Sequence, residues 1–332
     1  MIARLSDMPG VVYRRLAAIL LFGVLAGAVH AQTNLDATAW LQRMVSSTQR
    51  LSYSGTFVYR SHDREETSRI THIAGPTGVV ERIESLEGSP REIIRANDEL
   101  TCYLPKEKLL IKQRNASSGV FPAILPESMA SIAEFYSLRK GEIGRVAGLE
   151  SQQLILEPRD AFRYGYQFWV EMTTGLLLKA RTMGDAKNIL ESVAFTQIQL
   201  GQAPDPSSVR SAYSGKTSGW RVQHVQAAEP RPEDDRWVFS SVVPGFRQMA
   251  GLRRHIHKDG PGALQTVFSD GLAAVSVFVE PAGARSERDG GALRYGAIRI
   301  YQRVVADHLV TVVGEAPMVT LQRIGDGVEL RK

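Results

Sequence analysis

The sequence contains very little cysteine and no long apolar run after residue 31. Cys102 is the one cysteine among 332 residues, so disulfides cannot hold the fold together and a hydrophobic core must do so. Leu100 and Leu104 share a strand face with Cys102, which favours a packed thiol over a reactive one. No later segment approaches the roughly 20 apolar residues of a transmembrane helix.

The common motifs of catalysis are also missing. The sequence has no Gly-x-Ser-x-Gly elbow, phosphate-binding glycine loop, His-Glu-x-x-His helix or dinucleotide fingerprint. The stretch His255-Ile256-His257 could place two histidines on one strand face, but no third ligand lies at a suitable spacing and the neighbouring basic residues disfavour a cation. We therefore expect a protein that is not an enzyme, with no catalytic residue, no metal site and no cofactor.

The first 31 residues predict an export signal. Arg14 and Arg15 precede an uncharged run at 16–29, and Ala31 offers a small residue for cleavage before Gln32. The run is shorter than a membrane-spanning helix, and an uncleaved anchor is the alternative. Removing this segment lowers the formal net charge from +5 to +3, which does not suit a nucleic-acid-binding protein. We expect the mature protein outside the cytoplasm.

Composition divides the mature chain into two domains. About 300 residues exceed what one core usually organises, and residues 201–219 are rich in Gly, Pro and Ser, as a linker is. Residues 32–200 show two amphipathic helices and roughly ten strand-like segments, too many for a flat sheet. We predict an α+β fold, mainly antiparallel β, with a large unclosed half-barrel that has helices on its concave side. A smaller antiparallel α+β domain follows at 220–332.

Two hairpins can be predicted with their register. Thr173-Thr174-Gly175 serves as a three-residue loop with Gly175 in the left-handed conformation, and Asp270-Gly271 is a two-residue turn signal. The first hairpin then pairs Met172 with Leu176, Val170 with Leu178, Phe168 with Ala180 and Tyr166 with Thr182. The second pairs Phe268 with Ala273, Thr266 with Val275 and Leu264 with Val277.

Several segments carry a resemblance when they are taken together. They are 51–60 (LSYSGTFVYR), 68–72 (SRITH), 89–95 (SPREIIR), 145–148 (RVAG), 163–179, 268–280 (FSDGLAAVSVFVE) and 313–320 (VGEAPMVT). From about Leu35 to the C-terminus the chain resembles the RseB/MucB family of periplasmic regulators of the sigma-E (AlgU-type) envelope-stress response.

The resemblance implies a fold and a function. The fold is a large N-terminal domain similar to the carriers LolA and LolB, an unclosed β-barrel, with a smaller C-terminal domain. The function is negative regulation in the periplasm. The chain would bind the periplasmic domain of a membrane-spanning anti-sigma factor of the RseA/MucA type, shield it from regulated proteolysis and release it on sensing lipid or lipopolysaccharide acyl chains. Homo-oligomerisation is left open.

A lipid-binding groove is expected inside the half-barrel, because aromatic residues supply large apolar contact areas. The connection 112–126 turns apolar in its second half, which is typical of a lid, although a loop packed on the sheet is the alternative. The aromatic residues could also simply pack beneath the helices. The candidate groove residues are Phe57, Tyr59, Phe121, Tyr166 and Phe168.

The second domain is expected to supply the main grip on the partner. It combines aromatic side chains with a basic edge, and an extended partner segment could add to an open sheet edge. A solvated basic patch and a core position for the aromatic residues are the alternatives. The candidate partner-binding residues are Trp237, Phe246, Arg247, Arg253, Arg254, His255, Lys258 and Tyr295.

Two functions from other classes stay open beside regulation. A periplasmic lipid or lipoprotein carrier of the LolA type would need only the groove, so the second domain counts against it. A secreted hydrolase with dispersed catalytic residues is the other alternative.

Overall fold

The computed structural model places most of its strands in two sheets. It describes residues 36–62, 64–114, 129–225, 227–228, 232–240, 243–249, 251–254, 262–282 and 293–331. The predicted export signal and most of the 112–126 connection lie outside them. Residues Ala37–Lys332 form one compact unit. None of its described helices is long and apolar enough to cross a membrane.

The first sheet has twelve strands. They are β1 (Tyr53–Ser61), β2 (Arg64–Gly75), β3 (Gly78–Ser85), β4 (Glu92–Ala96), β5 (Glu99–Leu104), β6 (Leu109–Gln113), β7 (Tyr136–Val146), β8 (Leu149–Pro158), β9 (Gly165–Glu171), β10 (Leu177–Met183), β11 (Ile189–Leu200) and β12 (Arg221–Val225). Their spatial order is β12-β6-β5-β4-β3-β2-β1-β11-β10-β9-β8-β7, so β12 and β7 are its edges. All neighbours are antiparallel except β12 and β6, which run parallel.

This sheet curls around the first helix, α1 (Ala37–Arg50). The helix contacts β2 as well as β7 and β8, although β2 and β7 are six positions apart in the sheet. In a flat sheet those strands would lie about 29 Å from each other, whereas a helix with its side chains is about 10–12 Å wide. The predicted unclosed half-barrel with a helix on its concave side is therefore confirmed.

The helix is fixed to the turn between β9 and β10. Trp40, Leu41 and Met44 are at most 1% exposed, so the predicted apolar face is the packed one. Ser47 Oγ donates to the carbonyl of Gly175 at 3.0 Å, and the Arg43 guanidinium donates to the carbonyl of Thr173. The polar bonds of Arg43 and Ser47 and the apolar burial along the side of the helix thus set its position together.

The register of the β9–β10 hairpin is confirmed at its open end. Phe168 pairs with Ala180 and Tyr166 with Thr182, and Gly175 has the expected positive φ of 80°. Near the turn the prediction is wrong, because Val170 pairs with Leu177 and a bulge follows. The physical reason is burial. Leu176, Leu177 and Leu178 are all fully buried, which strict alternation along a strand does not allow.

The second sheet forms the other half of the molecule. Its strands are β13 (Ala227–Ala228), β15 (Arg247–Gln248), β16 (Leu252–Arg254), β17 (Ala263–Ser269), β18 (Ala274–Pro281), β19 (Leu293–Tyr295), β20 (Ile298–Val305) and β21 (His308–Gly314). Their order is β13-β16-β17-β18-β21-β20-β19, and β15 also pairs with β17. A separate pair joins β14 (Trp237–Phe239) to β22 (Val328–Leu330).

Two more α-helices are described, beside short 3-10 helices at Pro206–Val209 and Pro232–Arg236. The two α-helices are α2 (Met129–Phe135), just before β7, and α3 (Met318–Asp326). Leu321 and Ile324 of α3 are buried against the second sheet, with valines of β18 and β21 in the same cluster. The expected mainly antiparallel α+β architecture is confirmed in this half as well.

The turn between β17 and β18 differs from the predicted two-residue hairpin. Phe268 pairs with Val275 and Leu264 with Val279, a shift of two residues that leaves every side chain on its expected face. Four residues, 270–273, form the turn. The Asp270 carboxylate explains it, because Oδ1 accepts hydrogen bonds from the backbone N–H groups of Leu272 at 2.9 Å and Ala273 at 2.8 Å.

The predicted linker, 201–219, is held against the first sheet. Arg82 donates to the carbonyl of Ser208 at 3.4 Å, and the N–H of Ala212 donates to the Glu92 carboxylate at 3.1 Å. Beyond it, β12 pairs with β6 of the first sheet, so the first strand assigned to the second domain lies in the larger one. The division at 200 and 220 remains a prediction.

A buried ion pair joins the two halves. Arg163 Nη1 lies 2.9 Å from Asp270 Oδ2, and both side chains are 0% exposed. Tyr136 Oη donates to the same carboxylate oxygen at 3.1 Å, and Arg163 Nη2 donates to the carbonyl of Pro244 at 2.6 Å. Rings of Phe135 and of the second half cover the guanidinium. The pair is therefore fully desolvated and well bonded.

We expect Asp270→Ala to lower the free energy of unfolding by about 3–5 kcal/mol, because it leaves the Arg163 guanidinium buried without its carboxylate. The matched control is Glu157→Ala, which breaks the exposed pair with Arg139 and should change stability by at most about 1 kcal/mol. Urea unfolding of the two variants measures both values. Equal losses would show that the pair does not hold the halves together.

Candidate functional site

Four of the five predicted groove residues line one cavity on the concave side of the first sheet. The cavity has a volume of about 360 Å³, within the range of small-molecule sites. Phe57 and Tyr59 reach it from β1, and Tyr166 and Phe168 from β9. Phe121 lies outside the described residues.

The aromatic residues meet because strands alternate their side chains. Phe57 and Tyr59 are two positions apart on β1, as Tyr166 and Phe168 are on β9, so each pair shares one face. Phe57 packs edge-on against Phe195, with ring centroids 6.1 Å apart, and the two β9 rings stack at 5.9 Å. The remaining apolar wall is made by Ile83, Ile93, Ala180, Val193 and Leu272.

The second half of the molecule completes this cavity. Leu272, from the turn that contains Asp270, and Glu315, which follows β21, both line it. Sequence reasoning placed the groove in the first domain alone and missed both residues. A signal was present, because a leucine directly after Asp270-Gly271 is an apolar residue in a turn, where polar residues predominate.

Ionisable groups form the rim. Arg91 pairs with Glu66 at 3.4 Å, and Glu191 accepts a hydrogen bond from the N–H of Ala297 at 2.7 Å. Burial raises the pKa of Glu315, and the nearby Glu191 carboxylate raises it further. Burial also raises the pKa of the Tyr59 hydroxyl to about 12. The rim thus places one carboxylate from each half near the other, around an apolar interior.

The sequence-predicted partner residues lie at separate places. Arg247 is exposed on β15. Arg253 on β16 forms a two-bond ion pair with Asp234, at 2.6 and 2.7 Å. Phe246 is buried in the hydrophobic core of the second half. Trp237 on β14 is partly buried and packs against that core.

The other four candidates cannot be placed in the same way. Arg254 and Tyr295 end β16 and β19, but only their backbone is described. His255 and Lys258 lie outside the described residues.

A second cavity, which sequence reasoning did not predict, lies at the ends of β7 to β10. Its volume is about 720 Å³. Tyr166 lines both cavities, and Arg163 contributes to this one from the buried joint. Charges of both signs surround it, so it shows no clear preference for a charged ligand. The charged lining residues are Arg139, Glu157, Asp160, Arg163, Asp185 and Lys187.

Family models match both halves of the chain. The MucB/RseB N-terminal domain matches residues 36–213, and the MucB/RseB C-terminal domain matches residues 231–329.

Curated relatives match nearly the whole length. The sigma factor AlgU regulatory protein MucB of Pseudomonas aeruginosa is 30% identical over 317 residues, which cover 94% of this chain and 96% of that protein. The sigma-E factor regulatory protein RseB of Salmonella typhimurium is 26% identical and covers 92% and 94%. Both relatives are named as regulatory proteins.

Solved structures of MucB are similar to this chain over most of its length. The crystal structure of MucB in complex with MucA(peri) has a TM-score of 0.69 and 26% identity, covering 90% of this chain and 100% of that one. The complex structure of Pseudomonas aeruginosa MucA/MucB has a TM-score of 0.70 and 25% identity, covering 89% and 99%.

We expect Glu315→Gln to stabilise the protein at neutral pH and to have no such effect in acid. A carboxyl group with a raised pKa in the folded state disfavours folding at pH values where the unfolded chain is ionised. Its unfavourable contribution is therefore absent below about pH 4, grows as pH rises from the unfolded pKa to the raised pKa, and is complete above the raised pKa. Because solvent screens this rim, the gain at pH 7 should be at most about 1 kcal/mol. Urea midpoints across pH measure it. The exposed Glu87→Gln serves as control, and a gain that is the same at all pH values would contradict the prediction.

Proposed function

This chain belongs to the MucB/RseB family, and from that premise we propose that it binds the periplasmic region of a membrane-spanning anti-sigma factor and so restrains a sigma-E-type envelope-stress response. The likeness to MucB in complex with MucA(peri) carries the proposal, since it extends over 90% of this chain and all of that one. Bound in this way, the protein shields its partner from regulated proteolysis. It acts as a regulator without catalysing a reaction.

The protein acts in the periplasm. Arg14, Arg15 and the uncharged run that follows them form an export signal that ends near Ala31. A periplasmic location also puts the protein in the same compartment as the proposed partner segment.

The cavity binds the acyl chain of a lipid. Its wall is dominated by aromatic and aliphatic side chains, and its charges are confined to the rim, which suits an apolar tail with a polar end at the surface. This part of the proposal rests on the geometry of the cavity, since the names of the relatives mention no lipid.

Lipid binding and the joint between the halves are coupled through one turn. Leu272 lines the cavity, and Asp270 of the same turn bonds Arg163 and Tyr136. An acyl chain that displaces Leu272 therefore disturbs the carboxylate that ties the halves together. Release of the partner follows from that disturbance.

A carrier of lipids or lipoproteins is the second candidate, and the same cavity favours it. A carrier must release its cargo readily, whereas here the second half closes the cavity through Leu272 and Glu315. This arrangement favours the regulator.

Binding of the partner segment should be direct and should depend on the second half. The exported chain without residues 1–31 is titrated with the periplasmic segment of the co-encoded membrane protein by calorimetry. We expect Arg247→Ala, at an exposed position, to weaken binding by roughly 5-fold or more, since arginines often carry interface energy. Arg323→Ala, on α3, is the control. No measurable binding by the unaltered chain would refute the proposed function.

Filling the cavity should abolish lipid binding and leave partner binding intact. Thr182 lines the cavity and is only partly buried, so Thr182→Phe adds a ring to the space without removing a core contact. We expect the affinity for a fluorescent fatty acid to fall at least about 10-fold, with the free energy of unfolding within about 1 kcal/mol of the parent. Thr196→Phe, an exposed residue on β11, is the matched control. Unchanged lipid affinity in Thr182→Phe would place the lipid elsewhere.

A further inference from the structure

The outer face of the first sheet carries a cluster of cations around one indole. Lys179 Nζ lies 4.6 Å from the ring centroid of Trp169, and Arg181 Cζ lies 5.1 Å from it. The two positive charges therefore lie at most about 10 Å apart. Since Trp169 and Lys179 alternate with Phe168 and Ala180, which line the cavity, the cluster faces the opposite side of the sheet.

The donors of this cluster have no acceptor. Among the described residues, Lys179, Arg181 and the Trp169 indole N–H make no hydrogen bond or ion pair with a carboxylate or a carbonyl. Arg181 Nε is buried and without a partner. A partly buried donor that lacks an acceptor raises the free energy of the folded protein. A ligand that supplies acceptor oxygens would therefore bind favourably here.

Neighbouring carboxylates do not balance the charge. Residues paired across adjacent strands form a row on this face. In the row that contains Arg181, its two neighbours are the uncharged Ser192 on β11 and Gln167 on β9. Farther along the row on either side, Arg60 and Arg139 are each paired with their own glutamate. The positive charge in the centre of this face is therefore uncompensated.

The cations also repel one another. The pKa of Lys179 is lowered, first by burial and then by the charges of Arg181 and Arg60. Arg60 lies two strands from Arg181, about 10 Å away. Such repulsion is retained at a cost to stability, and an anion bound between the cations would relieve it.

We propose that Lys179 and Arg181, both held against the Trp169 ring, form a binding site for a phosphate group. A tetrahedral oxyanion offers acceptor oxygens in several directions, which suits donors on two separate side chains better than the two coplanar oxygens of a carboxylate do. The arginine supplies a planar fork and the lysine a compact charge. The site lies across the sheet from the lipid cavity, so it does not depend on the proposed function.

Calorimetry tests the site in the full mature chain. Inorganic phosphate and pyrophosphate are titrated against sodium chloride at matched ionic strength, and the double variant Lys179→Gln/Arg181→Gln is compared with the parent. We expect saturable phosphate binding that weakens at least about 10-fold in the double variant and is unchanged in Arg139→Gln, on the same face. Arg181→Lys, which keeps the charge and loses the fork, should retain an intermediate affinity and guards against a folding defect.

Further arms separate the sources of the phosphate. Binding to phosphatidylglycerol vesicles but not to phosphatidylcholine vesicles, lost in the double variant, would identify a lipid headgroup. Binding of inorganic phosphate without vesicle binding would identify a soluble ligand. Phosphate binding that is absent, or that Arg139→Gln weakens equally, would overturn the proposal, as would tighter binding of a polyglutamate peptide than of pyrophosphate.

Discussion

The buried pair of Arg163 and Asp270 is the interaction on which the arrangement of the two halves depends. Arg163 precedes β9, whose aromatic residues line the cavity, and Asp270 begins the turn whose Leu272 closes it. Because neither charge has access to water, the pair tolerates little displacement without losing its hydrogen bonds. It holds the turn that carries Leu272 against the cavity, while the bonds from Ala297 to Glu191 and from Thr320 to the carbonyl of Phe162 fix the two halves at other points.

The cavity residues could be predicted from the sequence because they follow from the alternation of side chains along single strands. Period-two alternation on β1 and β9 was enough to bring four aromatic residues to one cavity and to pair Phe168 with Ala180. The bulge after Leu177 depends on burying three successive leucines, which strict alternation does not contain. The four-residue turn is shaped by local bonds to Asp270 Oδ1 and could have been considered from the sequence, since aspartate side chains often bond the backbone two or three residues on. The bond from Arg163 to Oδ2, 107 residues away, could not.

The two faces of the first sheet divide the chemistry between them. The cavity on the concave face has a mainly apolar wall, and its charged lining residues are three glutamates and Arg91, which pairs with one of them. The convex face presents Lys179 and Arg181 beside an indole, without a balancing acid among the described residues. Because the side chains of a strand alternate, one pair of adjacent strands serves both surfaces, and a change on one face need not alter the chemistry of the other. The candidate partner residues Arg253 and Phe246, by contrast, are occupied within the second half.

The parallel pairing of β12 with β6 has a consequence for the order in which the protein can fold. β12 joins β6 about 110 residues later in the chain, and the Asp270 turn must find Arg163 across a similar separation. Such long-range contacts form slowly, because closing a long loop costs entropy before any contact forms. The edge of β6 therefore stays unpaired until the chain has been made as far as residue 225. Unpaired N–H and C=O groups of an edge strand can pair with another chain, so this edge is open to such pairing until β12 covers it.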